Sequence, residues 1–364
     1  MKPETLSTQE RIMLELRELY LGYGYRPYKV GKFEEYDLYM RNKKFLASEK
    51  VLTFSDTNGK LKALKPDVTL SIVKNAKDDG RTQKLCYTET VYRVPRNAYG
   101  FREIMQTGLE CIGRVDDYAA GEVLMLAARS LAQISERYVL DVSDVGVLSG
   151  VLAEEPIGDA DCAKLLSLVG EKNLHGLTAT CAELGVSELT AKRLSDLVLA
   201  CGPLQQTLDR VESLDLPQTS RDSVAGLRRM SDMLDAYKIK NVNLDFSVVN
   251  DMDYYNGLVF RGFVEGIPSG ILAGGRYDNL LLRMGKHGEA IGFAVYLDQL
   301  ERFMEQPAFE TEALVLYDEE TDPLAIVRAT ETLRARGYNC RVQREDEPCP
   351  TCREIVRLTK EANT

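Results

Sequence analysis

The feature that most constrains the fold of this chain is a series of strand patterns joined by short turns between residues 51 and 113. The pattern VLTFSD is followed by an Asn-Gly pair, Asn58 and Gly59, which is the strongest short-range signal for a β-hairpin. Two longer patterns, KLCYTETVYRV and FREIMQTGLECIG, come next and are separated by the loop PRNAYG. Because parallel strands need a long crossover connection, strands this close in sequence are expected to pair antiparallel.

Helical patterns flank these strands. Ser7 and Glu10 are predicted to form a capping box, and helical spacing of apolar residues continues until Gly22 and Gly24. A second long helix is predicted from 117 to 138. Strand patterns resume at VNLDFSVV and continue to AIGFAVYL, which is followed by a predicted helix, DQLERFME.

The order of these elements predicts an α+β fold with a mixed, mainly antiparallel sheet flanked by helices. Residues 1–306 form the expected core, and a Leu- and Ala-rich helical insertion occupies about 150–237 within it. Residues 307–364 begin with a strand, helix, strand pattern and are expected to form a small α/β appendage.

Composition narrows the class of protein. With 364 residues, 44% of them hydrophobic, the chain is long enough for two or three domains with a full core. The N-terminal segment has no apolar signal region, and no stretch approaches about eighteen uninterrupted apolar residues, so neither secretion nor membrane spanning is expected. Eight cysteines, mostly within helical or strand patterns, are typical of a reducing, cytoplasmic compartment. The net charge of −10 argues against a broad nucleic-acid-binding face.

Polar side chains occupy several strand positions where a buried sheet would carry apolar residues. The positions are Asp67, Thr69, Arg93, Gln106, Glu110 and Tyr255. An unpaired buried polar group costs roughly 1 to 3 kcal/mol, so each of these groups needs a partner. Either they form a cross-strand network with one another, or a small polar ligand satisfies them.

Five motifs, in this order, resemble the core of the class II aminoacyl-tRNA synthetases and, within that class, histidyl-tRNA synthetase. They are TFSDTNGKLKALKPDVT, YRVPRNAYGFREIMQTGLECIG, MDYYNGLVF, AGGRYDNLL and IGFAVYLDQLER, and the resemblance covers about residues 1–305. It implies a class II synthetase-like sheet that dimerises through the N-terminal part of the chain.

The resemblance also implies a histidine pocket. Asp67 and Thr69 would hold the α-amino group, Gln106 would assist at the amino acid backbone, and Glu110 and Tyr255 would address the imidazole ring. A carboxylate pairs with an ammonium, and an acid with an aromatic hydroxyl suits a ring that carries an N–H on each side. The complete predicted histidine-binding set is Asp67, Thr69, Arg93, Gln106, Glu110, Tyr254, Tyr255, Gly274 and Gly275.

Two of these predictions rest on local geometry. Strand alternation would send Tyr254 and Tyr255 to opposite faces, so Tyr255 is predicted to contact the ligand and Tyr254 to lie in the core or behind it. Gly274 and Gly275, which alone would indicate only a turn or a close backbone approach, would let the backbone approach the ligand in the family context.

Departures from the synthetase pattern concern the activation chemistry. Asn250 stands where the family has an arginine that polarises the amino acid carboxylate, and Gln299 stands where the family has an arginine that grips the ATP tail. Arg93 remains, with Arg96 and Arg102 nearby. Removing one such charge-stabilising donor costs about 10²- to 10³-fold in rate, so we expect no adenylation and no catalytic residues.

Other differences point the same way. Gly31 replaces the proline of the dimer-forming motif, Asp67 replaces a glutamate, and the appendage is expected to be too short for a complete anticodon-binding domain. A synthetase-like core with these losses resembles the regulatory subunit of ATP phosphoribosyltransferase. That resemblance implies a non-catalytic subunit that assembles with the short catalytic subunit in histidine biosynthesis and is associated with feedback by L-histidine. It implies no cofactor, no tRNA and no membrane partner.

Two alternatives remain open at this point: an active histidine-tRNA ligase, and a free-standing histidine-binding module with another partner. The motif CPTC, Cys349 to Cys352, has metal or redox spacing, but no second such pair or histidine follows it. His175 and His287 are predicted at a helix end and in a loop. We therefore expect no metal site.

Overall fold

The computed structural model describes residues 6–46, 50–94, 100–249, 254–300 and 309–358. It divides into two compact units, Met1–Phe303 and Met304–Thr364. Two of the residues that the sequence singled out, Arg96 and Asn250, lie outside the described residues, as does most of the helix predicted at DQLERFME.

Twelve α-helices are present in the described residues. They are α1 Thr8–Gly22, α2 Tyr36–Arg41, α3 Thr69–Asn75, α4 Asp117–Ile134, α5 Val145–Leu152, α6 Asp159–Gly170, α7 Leu174–Glu183, α8 Glu188–Leu199, α9 Leu204–Glu212, α10 Gln218–Ala236, α11 Asp278–Arg283 and α12 Pro323–Ala335. Short 3₁₀ helices span Lys43–Phe45 and Leu297–Gln299. No helix in this part of the chain combines the length and the apolar character that a bilayer crossing requires.

Fifteen strands are present in the same residues. They are β1 Arg26–Pro27, β2 Phe33–Glu35, β3 Thr53–Ser55, β4 Leu61–Leu64, β5 Gln83–Arg93, β6 Arg102–Gly113, β7 Tyr138–Asp144, β8 Cys201–Pro203, β9 Val242–Asp245, β10 Leu258–Val264, β11 Leu272–Arg276, β12 Glu289–Tyr296, β13 Thr311–Tyr317, β14 Cys340–Arg344 and β15 Cys352–Arg357.

The main sheet of the first unit has nine strands in the order β1-β5-β6-β12-β11-β10-β7-β9-β8. Only β1 with β5 and β7 with β9 pair parallel, and every other neighbouring pair is antiparallel. The predicted α+β class with a mixed, mainly antiparallel sheet is therefore confirmed. A second, three-stranded sheet has the order β2-β4-β3 and contains the hairpin predicted at Asn58 and Gly59.

Local signals explain where these elements begin and turn. The predicted capping box is present, since the Ser7 hydroxyl accepts from the Glu10 amide at 3.2 Å and the Glu10 carboxylate accepts from the Ser7 amide at 2.9 Å. Gly59 has a φ of +77°, a left-handed conformation that glycine adopts at little cost, and its amide donates to the Asp56 carbonyl at 2.9 Å. The hairpin loop closes there.

One face of the main sheet packs against α1 and α4, and this contact forms much of the core. The ring of Tyr20 on α1 meets Phe293 on β12 edge to face, with centroids 5.9 Å apart. The Tyr20 hydroxyl lies 3.0 Å from the Ser130 hydroxyl on α4. These contacts cover one face of the sheet and leave the opposite face to form the site described below.

Helices α5 to α10 occupy the region of the predicted helical insertion, about 150–237, with α5 beginning at Val145. This region also contains one element that its sequence pattern did not indicate. Strand β8 lies between α8 and α9 and pairs with β9, so the insertion adds an edge strand to the main sheet. In the second unit, β13, α12 and β14 form the predicted strand, helix, strand unit. β15, which begins at the last cysteine of CPTC, was not predicted and pairs parallel with the other edge of β13.

Candidate functional site

A cavity of about 960 Å³ lies on the face of the main sheet that α1 and α4 leave uncovered. Its floor comes from β5, β6 and β12, and its walls come from the segments around Asp67, Tyr254 and Tyr277. Helices α5 and α6 of the insertion form another wall, with Leu152, Cys162 and Leu166 among the lining residues. The volume is near the upper end of the range for small-molecule sites.

Glu110 on β6 is the buried acid at the centre of the floor, with 2% of its surface exposed. The Thr69 hydroxyl donates to its Oε1 at 2.7 Å, and the Tyr277 hydroxyl donates to its Oε2 at 2.5 Å. Burial raises the pKa of Glu110 to about 8, although these two hydrogen bonds oppose the shift. Burial therefore favours the protonated carboxyl, and a nearby cation would favour the ionised form.

Two glycines make room for the groups on this floor. A Cβ at Gly292 on β12 would lie 1.8 Å from Glu110 Oε2 and 2.5 Å from the Leu109 carbonyl. A Cβ at Gly108 on β6 would lie 2.8 Å from the Tyr87 hydroxyl and 2.2 Å from the Phe293 carbonyl. A side chain at either glycine would clash with these groups. The cavity floor beside Glu110 is therefore formed by backbone atoms at these two positions.

Asp67 is the second acid of the cavity and lies just before α3. Its Oδ1 accepts from the Leu70 amide at 2.8 Å, and its Oδ2 is 3.6 Å from Arg93 Nη2. Burial raises the pKa of Asp67, while the Arg93 guanidinium and the backbone amides lower it. Arg93 also donates from Nε to the Pro66 carbonyl, so the cation and the acid are fixed together.

A buried ion pair holds the segment before Asp67. Lys65 is 1% exposed, and its ammonium bonds to the carboxylate of Glu89 on β5. The other oxygen of Glu89 accepts from the Val30 amide at 3.0 Å. The Lys65 carbonyl accepts from the Tyr92 amide at 3.0 Å. This arrangement ties the segment that carries Asp67 to the floor strand β5.

Gln106 shares the floor with Glu110 because the two are four residues apart on one strand, and alternate residues of a strand face the same side. It is 2% exposed, and its side-chain oxygen has no hydrogen-bond partner among the described residues. A buried amide oxygen in a polar cavity is a ready acceptor for a ligand donor.

Tyr254 and Tyr255 both line the cavity, so the prediction that they face opposite sides is wrong. The reason is that they lie in a turn before β10 rather than in a strand, and period-2 alternation does not apply. Their ring centroids are 4.7 Å apart. Asn256 anchors this turn, because its Oδ1 accepts from the Asp278 amide at 2.8 Å and its Nδ2 donates to the Asp278 carboxylate at 3.2 Å.

Three other predicted positions, Gly274, Gly275 and Gln299, do not line the cavity. Gly274 and Gly275 are not among the lining residues, and a Cβ at Gly275 would lie 2.6 Å from the Tyr255 ring. Gly275 therefore makes room for the aromatic wall. The Gln299 side chain bonds to the Ser269 hydroxyl, also away from the cavity, and Asn250 lies outside the described residues.

Sequence reasoning missed several lining residues. Tyr87 and Tyr296 lie on β5 and β12 on the same sheet face as Glu110, and Tyr277 reaches Glu110 across the sheet. Strand alternation could have indicated Tyr87, which is six residues before Arg93. Nothing local indicates the wall from α5 and α6, because it depends on how the insertion packs.

The cysteines form neither a disulfide nor a metal site within the described residues. All eight are free thiols; Cys349 is exposed, and Cys340 and Cys352 are partly exposed on β14 and β15. Within the described ranges, no group of three or more His, Cys, Asp or Glu side chains is placed to hold a metal ion.

Known proteins match this chain over most of its length. A family model described as histidyl-tRNA synthetase matches residues 1–300. An ATP phosphoribosyltransferase regulatory subunit from Thermoanaerobacter sp. (strain X514) is 30% identical over 349 residues, which cover 92% of this chain and 87% of that protein.

Solved structures confirm the fold. An ATP phosphoribosyltransferase regulatory subunit/histidyl-tRNA synthetase from Bacillus halodurans C has a TM-score of 0.79 at 23% identity, covering 98% of this chain and 95% of that one. A chain of an ATP phosphoribosyl transferase complex from Thermotoga maritima has a TM-score of 0.63 at 19% identity, covering 80% and 97%. The chain has the histidyl-tRNA synthetase fold and belongs to the family of ATP phosphoribosyltransferase regulatory subunits.

Proposed function

We propose that this chain is a non-catalytic regulatory subunit that assembles with the short catalytic subunit of ATP phosphoribosyltransferase, and that its large cavity binds L-histidine as the effector. The observation that carries the proposal is that two buried acids, Asp67 and Glu110, and one guanidinium, Arg93, line the same cavity. The names of the relatives support the partner and the reaction.

The charges of the cavity fit a free amino acid. The ammonium of histidine pairs with the Asp67 carboxylate, and Thr69, two residues further along the chain, donates to Glu110. Arg93, 3.6 Å from Asp67, offers a cation for the ligand carboxylate, and the unpaired Gln106 oxygen accepts from an N–H group.

The imidazole ring would lie between Glu110 and the aromatic wall of Tyr254 and Tyr255. A protonated ring favours ionisation of Glu110, because an adjacent cation lowers the pKa that burial has raised. The carboxylate then accepts from a ring N–H while Tyr277 and Thr69 continue to donate to it.

The same surface is poorly suited to adenylate formation. Among the described lining residues Arg93 is the one lysine or arginine, whereas the acids are Asp67, Glu110, Glu155 and Asp159. Phosphoryl and acyl transfer need positive charge placed where negative charge develops, and acids at that place oppose it. This charge balance favours a binding role over the histidine-tRNA ligase alternative.

Feedback requires that histidine bind two states of the complex with unequal affinity. The cavity offers a physical basis, since its walls come from both the sheet and the insertion helices α5 and α6. A ligand that contacts both walls favours the arrangement in which they are correctly spaced. We infer that histidine shifts the hetero-oligomer toward its less active state.

Reconstitution tests the proposal. The full chain is mixed with a short-form catalytic subunit, and complex formation and PRPP-dependent turnover are measured with and without L-histidine. We expect a stable complex, higher turnover than the catalytic subunit alone, and loss of that gain with histidine. Histidine-dependent pyrophosphate exchange by the chain alone would instead support the ligase, and histidine binding without a complex would support a free-standing binding module.

The small sheet β2-β4-β3 supports a homodimer of this chain. Phe33 is 51% exposed and Phe54 is 38% exposed, and their rings meet edge to face with centroids 5.4 Å apart. Adjoining exposed aromatic rings are typical of an interaction surface, and the resemblance to the synthetases implies that the chain dimerises through its N-terminal part.

Sedimentation of a Phe33→Ser, Phe54→Ser variant is expected to show a shift from dimer to monomer at low micromolar concentration. Leu199→Ser is the matched control, because this residue is 62% exposed on α8 and far from the small sheet in sequence. A wild-type monomer, or an unchanged dimer in the double variant, would contradict this interface.

We also propose a cytoplasmic location. All eight cysteines are free thiols, and Cys201 and Cys349 are exposed, which suits a reducing compartment.

A further inference from the structure

A second, smaller cavity of about 210 Å³ lies where β5 begins and β6 ends, next to the turn before β12. It shares no lining residue with the large cavity, and nothing in the proposed function uses it. Its cationic lining residues are Lys77, Arg81, Arg114 and Lys286, with His287 beside them. The acid in the lining is Asp78.

This balance of charge is opposite to that of the whole chain. The chain carries a net charge of −10, yet four lysine and arginine side chains and one carboxylate line this cavity. The Asp78 carboxylate accepts from the backbone amide of His287 at 3.2 Å. A concave surface lined by one sign of charge concentrates the field and attracts ions of the opposite sign.

The cations have spare hydrogen-bonding capacity. The side chains of Lys77, Arg81 and Arg114 make no hydrogen bond or ion pair with any residue that the structure describes. Lys286 is partly buried, and its ammonium donates to the backbone carbonyls of Lys74, at 3.0 Å, and Ala76. Burial lowers the pKa of this ammonium, because it disfavours the charged form. An anion bound nearby would favour the charged form.

Glycines bring these side chains together. Gly113 and Gly288 have φ angles of +130° and +121°, which disfavour other residues. A Cβ at Gly113 would lie 2.8 Å from the Arg81 carbonyl, and one at Gly288 would lie 3.0 Å from the Gly113 carbonyl. Three chain segments thus meet backbone to backbone, and their long cationic side chains surround one small space.

We propose that this second cavity binds a small anion through a phosphate group. Arg81 and Arg114, whose side chains have no partner among the described residues, suit phosphate, because a guanidinium presents paired N–H donors to its oxygens. The volume corresponds to about seven water molecules at roughly 30 Å³ each. That space fits one phosphate group and its neighbouring atoms, and it is too small to enclose an acidic peptide.

Isothermal titration of the full chain with inorganic phosphate, pyrophosphate or AMP, at low salt, tests this site. We expect saturable binding of at least one probe that weakens as salt rises, since exposed charges are screened. Binding of AMP would identify a nucleotide phosphate as the ligand, and binding of phosphate or pyrophosphate alone would identify a free anion. No saturable binding of any of the three would overturn the proposal.

Substitutions at the lining arginines test whether the anion binds in the second cavity. Arg81→Gln with Arg114→Gln is expected to weaken it by about tenfold or more, which corresponds to roughly 1.4 kcal/mol. Both side chains are exposed, so thermal unfolding should not change. Arg137→Gln removes one charge at the opposite end of the sheet and is the matched control. An equal loss in this control, or a loss in Arg93→Gln alone, would place the anion elsewhere and overturn the proposal.

Discussion

Replacing Glu110 with glutamine is expected to weaken L-histidine binding roughly 30-fold or more, because losing one partner of a buried charged hydrogen bond costs about 2 kcal/mol or more. Glutamine keeps the size of the side chain but cannot carry the charge that a protonated imidazole stabilises. Titration calorimetry measures the change. Glu103→Gln is the control, since Glu103 lies on the same strand, β6, but is exposed. Equal affinity in the two variants would remove Glu110 from the binding site.

Glu110→Gln is also expected to change how the free energy of unfolding depends on pH in the absence of ligand. The pKa of Glu110 is about 8 in the folded protein against an ordinary value of 4.5, so between these values the folded state holds a proton that the unfolded state has lost. The free energy of unfolding therefore falls as pH rises through this window. The upper limit of the slope is about 1.4 kcal/mol per pH unit for one group.

Glu110→Gln lacks this slope, so its stability relative to the wild type is expected to increase from about pH 5 to about pH 8. Urea unfolding of both proteins across that range measures the difference. Parallel stability curves would show that the Glu110 carboxyl is not held protonated by burial.

Replacing Lys65 with alanine is expected to destabilise the protein by about 3 to 5 kcal/mol, because it leaves the Glu89 carboxylate without its cation in a buried site. Lys65 is 1% exposed, and Glu89 also accepts from the Val30 amide. Denaturant unfolding gives the loss in free energy. Histidine affinity should fall as well, since Lys65 holds the segment that carries Asp67.

Lys60→Ala provides the matched control for this prediction. Lys60 pairs with Glu35 at 3.4 Å, but its side chain is 64% exposed, and exposed pairs contribute about 0 to 1 kcal/mol. If Lys65→Ala costs no more than Lys60→Ala, the Lys65 and Glu89 pair does not hold this part of the cavity.

Local patterns in the sequence were sufficient for much of the fold. The capping box at Ser7 and the turn at Gly59 depend on neighbouring residues, and both are present as predicted. Alternation along β6 also places Gln106 and Glu110 on one face, since each is an even number of positions from the other.

Features that depend on distant packing could not be predicted in this way. Tyr277 donates to Glu110 across 167 positions of sequence, and no local pattern indicates that contact. The strand rule failed at Tyr254 and Tyr255 because their backbone forms a turn anchored by Asn256 and Asp278. β8 consists of the three residues CGP, a pattern that indicates a loop rather than an edge strand.

The group of hydroxyls around Glu110 has a consequence for when the cavity can form during synthesis. Thr69 and Tyr277 reach this acid across 41 and 167 positions, on opposite sides of it in sequence. Contacts at such separation form only after the intervening chain has closed. A nascent chain that has not yet produced Tyr277 therefore lacks the complete site, and under the proposed function histidine would stabilise only chains that have finished folding.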